Sequence, residues 1–123
     1  MNPSAIAIAL VSLEHFYFLV LEMFLWQTPM GLKTFHNTAE FALKSAPLAA
    51  NQGLYNGFLA AGLLFSLLHP AAKSRAVQSF FLGCVIVAGV YGGLTALPSI
   101  FFIQGVPALI ALALVWVRRA PNT

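Results

Sequence analysis

Four apolar segments, each long enough to cross a lipid bilayer as a helix, dominate this sequence. They run over residues 4–27, 47–68, 77–97 and 99–117. A hydrocarbon core about 30 Å thick needs about 20 helical residues. Helices are the expected form, because four short strands cannot close into a barrel. The segments predict an all-α polytopic membrane protein with four transmembrane helices in one bundle, forming a single domain over residues 1–123.

The composition fits a surface that faces lipid and excludes several classes of protein. Hydrophobic residues make up 60% of the chain and charged residues 7%, whereas a soluble domain carries roughly 25% charged residues. No basic stripe is interleaved with exposed aromatic residues, so nucleic acid is not an expected partner. The single cysteine, Cys84, excludes an internal disulfide and a thiolate metal cluster. Membrane lipid is the expected surrounding of this chain.

The basic residues flank the apolar segments and predict how the chain is inserted. Four lie in the loop after the second segment and in the C-terminal tail, and two lie between the first and second segments. Because basic residues favour cytoplasmic loops, both termini are predicted to be cytoplasmic, with Trp26 at the outer interface and Trp116 at the inner one. No basic residue follows Met1, so the first segment is expected to be retained. The six basic residues are Lys33, Lys44, Lys73, Arg75, Arg118 and Arg119.

The connection between the first and second segments is predicted to hold a short amphipathic helix over residues 32–44. Apolar side chains recur there at helical spacing, and Glu40 and Lys44 form an i, i+4 pair of opposite charge. A helix of this kind lies in the headgroup layer, on the outer side in the predicted orientation. An ordinary polar loop is the alternative.

Small residues form a ridge on two of the segments. Gly53, Gly57 and Ala61 recur every four residues on the second, and Gly89 and Gly93 do so on the third. Such ridges allow close approach of helix backbones in lipid. Packing within one bundle is the expected use, and contact with a second copy in a homodimer is the alternative.

The first segment carries the ionisable residues Glu14, His15 and Glu22, which are the candidate catalytic groups. A charged group at the centre of a spanning helix costs about 2.5 kcal/mol or more, so these side chains should face protein rather than lipid. At about 100° per residue, all three fall on one side of the helix together with Trp26. We expect this side to face the bundle interior.

Further polar residues gather between the middle of the membrane and its predicted outer surface. The second segment places one group of them on a single helix face, opposite the Gly53 ridge. Others lie at the outer ends of the third and fourth segments. Together they predict an outward-facing intramembrane pocket. The candidate ligand-binding residues are Trp26, Asn51, Gln52, Tyr55, Asn56, Tyr91, Thr95 and Gln104.

The chemistry of this predicted pocket has two interpretations. Carboxyl and imidazole groups suit general acid–base work, and amides with a tyrosine hydroxyl can hold a polar headgroup. Alternatively, the polar side chains hydrogen-bond one another and fix the register of the helices. No metal site is predicted, because His36 and His69 fall in loops on opposite sides of the membrane and no metal-ligand spacing is present. The sequence identifies no cofactor.

Several runs of this chain resemble a family of short bacterial integral membrane proteins, the domain of unknown function 1304. The resemblance extends over nearly the whole chain and implies a four-helix bacterial membrane protein, and it implies no activity. We expect the protein in the inner (cytoplasmic) membrane. The resemblance is carried by Glu14–Phe18, Leu21–Trp26, Thr28–Gly31, Leu48–Gly57, Ala88–Gly92 and Gln104–Ala108.

Three functions remain open from the sequence, which leaves undecided whether the chain is an enzyme. The first is binding or transformation of a lipid-like or isoprenoid-like molecule in the outward-facing pocket. The second is a small proton-coupled exporter, since small multidrug exporters also have four helices and a glutamate in the first, onto which Glu14 maps. Glu22 and the Asn51–Gln52 pair depart from that exporter pattern. The third is a structural or accessory membrane subunit.

Overall fold

The computed structural model describes residues 2–118, which form helices joined by short turns and loops. No strand occurs between these limits, so the predicted all-α class is confirmed. A 3₁₀ turn, Pro70–Ala72, follows the third helix, and a π-helical segment, Phe101–Gly105, leads into the fifth. The α-helices in this range are α1 (Pro3–Met23), α2 (Pro29–Phe35), α3 (Ala39–Leu68), α4 (Arg75–Thr95) and α5 (Val106–Val117).

Internal contacts divide the chain into two compact units. The central unit covers residues 13–60, which include the second half of α1, all of α2 and the first part of α3. The terminal unit combines the N-terminal residues up to Ser12 with the chain from Ala61 onward. The single domain expected over residues 1–123 stays a prediction.

In the central unit, α3 packs closely against α1 through its glycines. A Cβ atom added to Gly53 would lie 2.8 Å from Met23 Cγ and 3.0 Å from Glu22 Cβ, and one added to Gly57 would lie 2.5 Å from Leu19 Cδ1. Only residues without a side chain allow the two helices to approach this far. Both glycines of the predicted ridge therefore serve packing within the chain, whereas Ala61 is exposed.

The connection after α1 differs from the single amphipathic helix predicted over residues 32–44, and this prediction is wrong in its bounds. Thr28 begins α2 by accepting a hydrogen bond from Gly31 N at 3.3 Å. His36 ends α2 in the left-handed conformation, with φ 57° and ψ 39°. Thr38 then caps α3 by accepting from Phe41 N at 3.1 Å. A helix cannot continue through a left-handed residue, so the predicted segment is split between α2 and α3.

Helix α3 begins at Ala39, eight residues before the predicted start of the second segment. Pro47 lies inside this 30-residue helix without ending it. Proline removes one backbone donor and disfavours the α conformation at the residue before it, and the remaining bonds of a long packed helix outweigh that loss. The first segment is also shorter than predicted, because α1 ends at Met23.

The terminal unit contains a close pair formed by α4 and the segment leading into α5. Ser74 caps α4 by accepting a hydrogen bond from Val77 N at 3.2 Å. A Cβ atom on Gly89 would lie 2.9 Å from the backbone nitrogen of Gly105. The predicted Gly89 ridge therefore permits backbone-to-backbone contact within this unit. The buried apolar side chains of α4 and α5 are Leu82, Val85, Ala108, Ala111 and Val115.

The fourth predicted segment is helical, but it is not uniformly α-helical. The π-helical turn Phe101–Gly105 stands directly before α5, whose second residue is Pro107. In a regular α-helix, a proline ring meets the carbonyl group four residues earlier, which here belongs to Ile103. The wider π turn accommodates this contact, which gives a physical reason for its position.

Two of the helices are long and apolar enough to cross a membrane, α1 and α4. The continuous apolar segment Phe101–Val117 is shorter. Helix α3 is longer than either, but Asn51, Gln52 and Asn56 make it less apolar. Among residues 2–118, two helices thus meet the length and composition required for a crossing, and the four-span arrangement stays a prediction.

Candidate functional site

The three candidate catalytic residues of α1 are enclosed to different degrees. His15 is fully buried, Glu22 is 3% exposed and Glu14 is half-buried. His15 and Glu22 are seven residues apart, which places them on one face of the helix, about 10 Å apart along its axis. The His15 ring meets Phe18 edge-on with 5.3 Å between centroids. The second half of α1 thus carries a short column of ionisable groups.

Glu22 is joined to α3 by a short hydrogen bond. Asn56 Nδ2 donates to Glu22 Oε1 at 2.5 Å, and both side chains are buried. Gly53 lies nearly one turn before Asn56 and allows α3 to come close to the Cβ atom of Glu22. The glycine ridge therefore positions the amide against the carboxyl group, and two of the predicted site residues meet in the central unit.

Glu14 differs from Glu22 in its hydrogen bonding. Its Oε1 atom is shielded from solvent and has no hydrogen-bond partner among residues 2–118. Burying a polar atom without a partner is costly, and most buried polar side-chain atoms in proteins are paired. This oxygen is thus a buried acceptor that can still accept a hydrogen bond, and it lies on the same helix as His15 and Glu22.

Trp26 is held by a residue that the sequence did not single out. Its indole Nε1 donates to Ser45 Oγ at 3.0 Å, and its ring packs against Phe35 with 4.8 Å between centroids. Ser45 lies eleven residues before Asn56 on α3, which separates their levels by about 16 Å along the helix axis.

The predicted polar residues of α3 divide into two groups. Asn56 is buried on the face that packs against α1, whereas Asn51, Gln52 and Tyr55 are exposed. Tyr55 makes an edge-on contact with Phe58, with 5.5 Å between ring centroids. Asn56 lies about 140° from Asn51 around the helix, which is the edge of the polar face predicted from the sequence.

Tyr91, Thr95 and Gln104 belong to the terminal unit. Tyr91 is 69% exposed, and the exposed Thr95 donates its hydroxyl to the Tyr91 carbonyl at 2.7 Å. Gln104 is half-buried in the π-helical segment, beside Gly89. The role of these three residues in a ligand site stays a prediction.

Two polar contacts of the terminal unit were not predicted. Gln78, 1% exposed, donates from Nε2 to the Ser66 carbonyl at 3.1 Å. Trp116 Nε1 donates to Ser79 Oγ at 3.0 Å, and the Arg75 guanidinium lies 5.6 Å from the Trp116 ring centroid. The sequence predicted only that Trp116 lies near a membrane interface. It did not indicate either contact, because both depend on how α4 packs against its neighbours.

Within residues 2–118, no group of three or more His, Cys, Asp and Glu side chains is placed to hold a metal ion. His36 lies at the end of α2, and His69 precedes the 3₁₀ turn. Arg119, one of the basic residues used to predict the orientation, lies outside the described residues.

Comparisons with known proteins agree with the resemblance carried by the sequence. The family model described as protein of unknown function (DUF1304) matches residues 9–116. An uncharacterized protein, YpaA, of Lactococcus lactis subsp. lactis (strain IL1403) is 33% identical over 105 residues, which cover 84% of this chain and 87% of YpaA. No solved structure matches the chain.

Proposed function

The chain belongs to the DUF1304 family, whose function is unknown, and we propose that it is a four-span integral membrane protein that binds a lipid-like or isoprenoid-like molecule. The polar part of that molecule is held beside α1, and its apolar part lies among the helices. The observation that carries the proposal is the enclosed Oε1 atom of Glu14, which has no hydrogen-bond partner among residues 2–118. A hydroxyl or amine of a bound amphiphile is a donor that this acceptor can use.

The four-span arrangement is supported by the lengths of the helices. Helix α3 extends about 45 Å over its 30 residues. The 17 residues of Phe101–Val117 extend about 25 Å, and helical geometry already begins at Ser99. The orientation with cytoplasmic termini follows from the basic residues around α4 and after α5. The bacterial inner membrane is the proposed location.

The ionisable groups beside Glu14 on α1 support binding of a polar headgroup within the membrane. An ionisable residue inside a membrane protein usually marks a functional site, because insertion of that residue is costly. Glu14, His15 and Glu22 lie within about 12 Å along one helix axis. A carboxyl and an imidazole group can exchange protons with a bound molecule, so the same site is able to transform what it binds.

Replacement of one Glu14 carboxylate oxygen by an amide nitrogen tests the proposal. The protein, extracted gently from its native membrane, is expected to retain a specific amphiphile that native mass spectrometry detects. Glu14→Gln should reduce its retention at least fivefold, because one acceptor becomes a donor, while the unfolding temperature changes little. Glu40→Gln is the matched control, since Glu40 is 80% exposed in its ion pair with Lys44 and should retain the amphiphile in full.

A structural or accessory subunit is the second candidate, and the Glu22–Asn56 hydrogen bond favours it. In this case the sole role of the bond is to lock α1 against α3. This function predicts that Glu22→Gln lowers the unfolding temperature and that no amphiphile is ever retained by the native protein. The absence of any bound amphiphile, with normal folding, would therefore overturn the binding function in favour of this one.

A proton-coupled exporter also requires a carboxyl group in the first span, for which Glu14 is available. Reconstituted vesicles with a pH gradient distinguish it from a binding protein. Cation movement that depends on the gradient and is lost in Glu14→Gln would support export. A tightly retained amphiphile without any cation movement would exclude it.

A further inference from the structure

A row of exposed side chains on α3 forms a face that this chain leaves uncovered. Leu48, Asn51, Tyr55 and Phe58 are spaced by three, four and three residues, and all four are exposed. This spacing places them along one side of the helix, opposite the buried residues Ala49, Gly53, Asn56 and Ala60. We call Leu48, Asn51, Gln52, Tyr55 and Phe58 the α3 face.

The α3 face is polar at a depth where lipid offers no hydrogen bonds. Trp26 is predicted to lie at the outer membrane interface, and its hydrogen-bond partner is Ser45. Asn51 lies six residues beyond Ser45 on α3, and so about 9 Å below that interface. Gln52 lies about 10 Å below it. A carboxamide group in contact with hydrocarbon loses its hydrogen bonds to water and gains none in return. Helices with such residues associate in membranes, because the amides then bond to one another.

We propose that a second copy of this chain covers the α3 face, so that the protein is a parallel homodimer. The proposal rests on the membrane insertion of α3 argued above and is independent of the ligand. Every copy is inserted with the same orientation, so a two-fold axis along the membrane normal brings Asn51 of one copy level with Asn51 of the other. A carboxamide both donates and accepts, which makes this residue complementary to itself.

The spacing of the face supports the same geometry. Intervals of three and four residues allow two parallel helices to interdigitate along a left-handed seam, and an asparagine in such a seam fixes its register. No charged residue lies between Leu48 and Phe58. At the N-terminal end of the helix, Glu40 and Lys44 neutralise one another across 3.2 Å, so the approach of two copies is not opposed by net charge.

Single cysteines in native membranes test the dimer. Cys84→Ser removes the native thiol, after which Leu48→Cys, Tyr55→Cys and Val87→Cys are made separately. Val87 is the control, because it is 68% exposed near the middle of α4. On mild oxidation with copper phenanthroline, the two α3 positions should give a disulfide-linked species of twice the monomer mass. Its yield should be at least fivefold higher than for Val87→Cys, and equal yields would overturn the proposal.

The role of the amide is tested separately with Leu48→Cys as the reporter. Adding Asn51→Leu should lower the disulfide yield at least threefold, whereas Asn51→Gln, which keeps a carboxamide, should preserve it. An unchanged yield with Asn51→Leu, or linkage only to a protein of different mass, would overturn the proposal. Extraction with alkaline carbonate checks insertion independently: release of the protein would contradict the proposed membrane location itself.

Discussion

Asn56 Nδ2 lies 2.5 Å from Glu22 Oε1, so an amide in the middle of α3 donates directly to a carboxyl group in the last turn of α1. Both side chains are enclosed, which makes their contributions to stability interdependent. Removing one partner leaves a buried polar group without its hydrogen bond, whereas removing both leaves apolar groups in contact.

Asn56→Ala should therefore lower the free energy of unfolding by about 1–3 kcal/mol. The double variant Glu22→Leu/Asn56→Leu should be more stable than Glu22→Leu or Asn56→Leu alone. Unfolding in mild detergent, followed by circular dichroism, measures all of them. Gln27→Ala is the control at an exposed loop position and should have little effect. A double variant less stable than either single one would show that the two side chains do not act as a pair.

The glycines of α4 provide a second prediction, because two of them have opposite surroundings. A Cβ atom on Gly89 would lie 2.9 Å from the backbone nitrogen of Gly105, which cannot move aside as a flexible side chain can. A Cβ atom on Gly83 would meet nothing within 4 Å. Gly89→Ala should thus destabilise the protein by about 1–3 kcal/mol through overpacking.

Gly83→Ala should instead stabilise the protein by about 0.5–1 kcal/mol, because alanine favours a helix more than glycine does. The two variants make the same chemical change on the same helix, so their comparison separates packing from helix propensity. Thermal unfolding of both under one detergent condition is the measurement. Equal shifts of the unfolding temperature would contradict the close contact at Gly89.

The predicted insertion of the chain has its own test. In the Cys84→Ser background, Thr38→Cys places a thiol between α2 and α3, and Lys73→Cys places one between the 3₁₀ turn and α4, both at exposed positions. A membrane-impermeant maleimide should label the first in intact cells and the second only after permeabilisation. Labelling of both positions in intact cells would contradict the four-span orientation with cytoplasmic termini.

The sequence predicted the helices well where a long apolar run determines them, as in α4 and at the end of α3. It failed between Met23 and Ala39, because the decisive feature there is local. His36 adopts a left-handed conformation, which the pattern of polar and apolar residues does not reveal. Histidine is among the residues enriched at such positions, but the preference is too weak to predict a helix end.

The candidate site was predicted in part for a related reason. Helical geometry put the ionisable residues of α1 on one side together with Trp26, which lies beyond the end of α1, and it put Asn56 with Asn51 and Gln52. Asn56 lies at the border of two faces of α3, and only its contact with Glu22 decides that it is buried. Likewise, Ser45 and Ser79 carry no sequence signal, since each becomes a partner of a tryptophan only through tertiary packing.

Arg75 and Trp116 give the last prediction. The Arg75 guanidinium lies 5.6 Å from the centroid of the Trp116 ring and also donates to the Arg118 carbonyl, which ties the start of α4 to the end of α5. Lysine keeps the charge but lacks the planar group that stacks on an indole and donates in two directions. Arg75→Lys should therefore destabilise the protein by about 0.5–1 kcal/mol, as expected for loss of an exposed cation–π contact.

Trp116 itself reports the change. In a Trp26→Phe background it is the remaining tryptophan, so its fluorescence emission should shift when the guanidinium is lost. Lys73→Arg, a change of the same two residue types at an exposed neighbouring position, should leave both the emission and the unfolding temperature unchanged. Because charge is preserved in both variants, an effect confined to Arg75→Lys isolates the geometry of the guanidinium. Identical behaviour of the two variants would show that only the positive charge matters at this end of the helices.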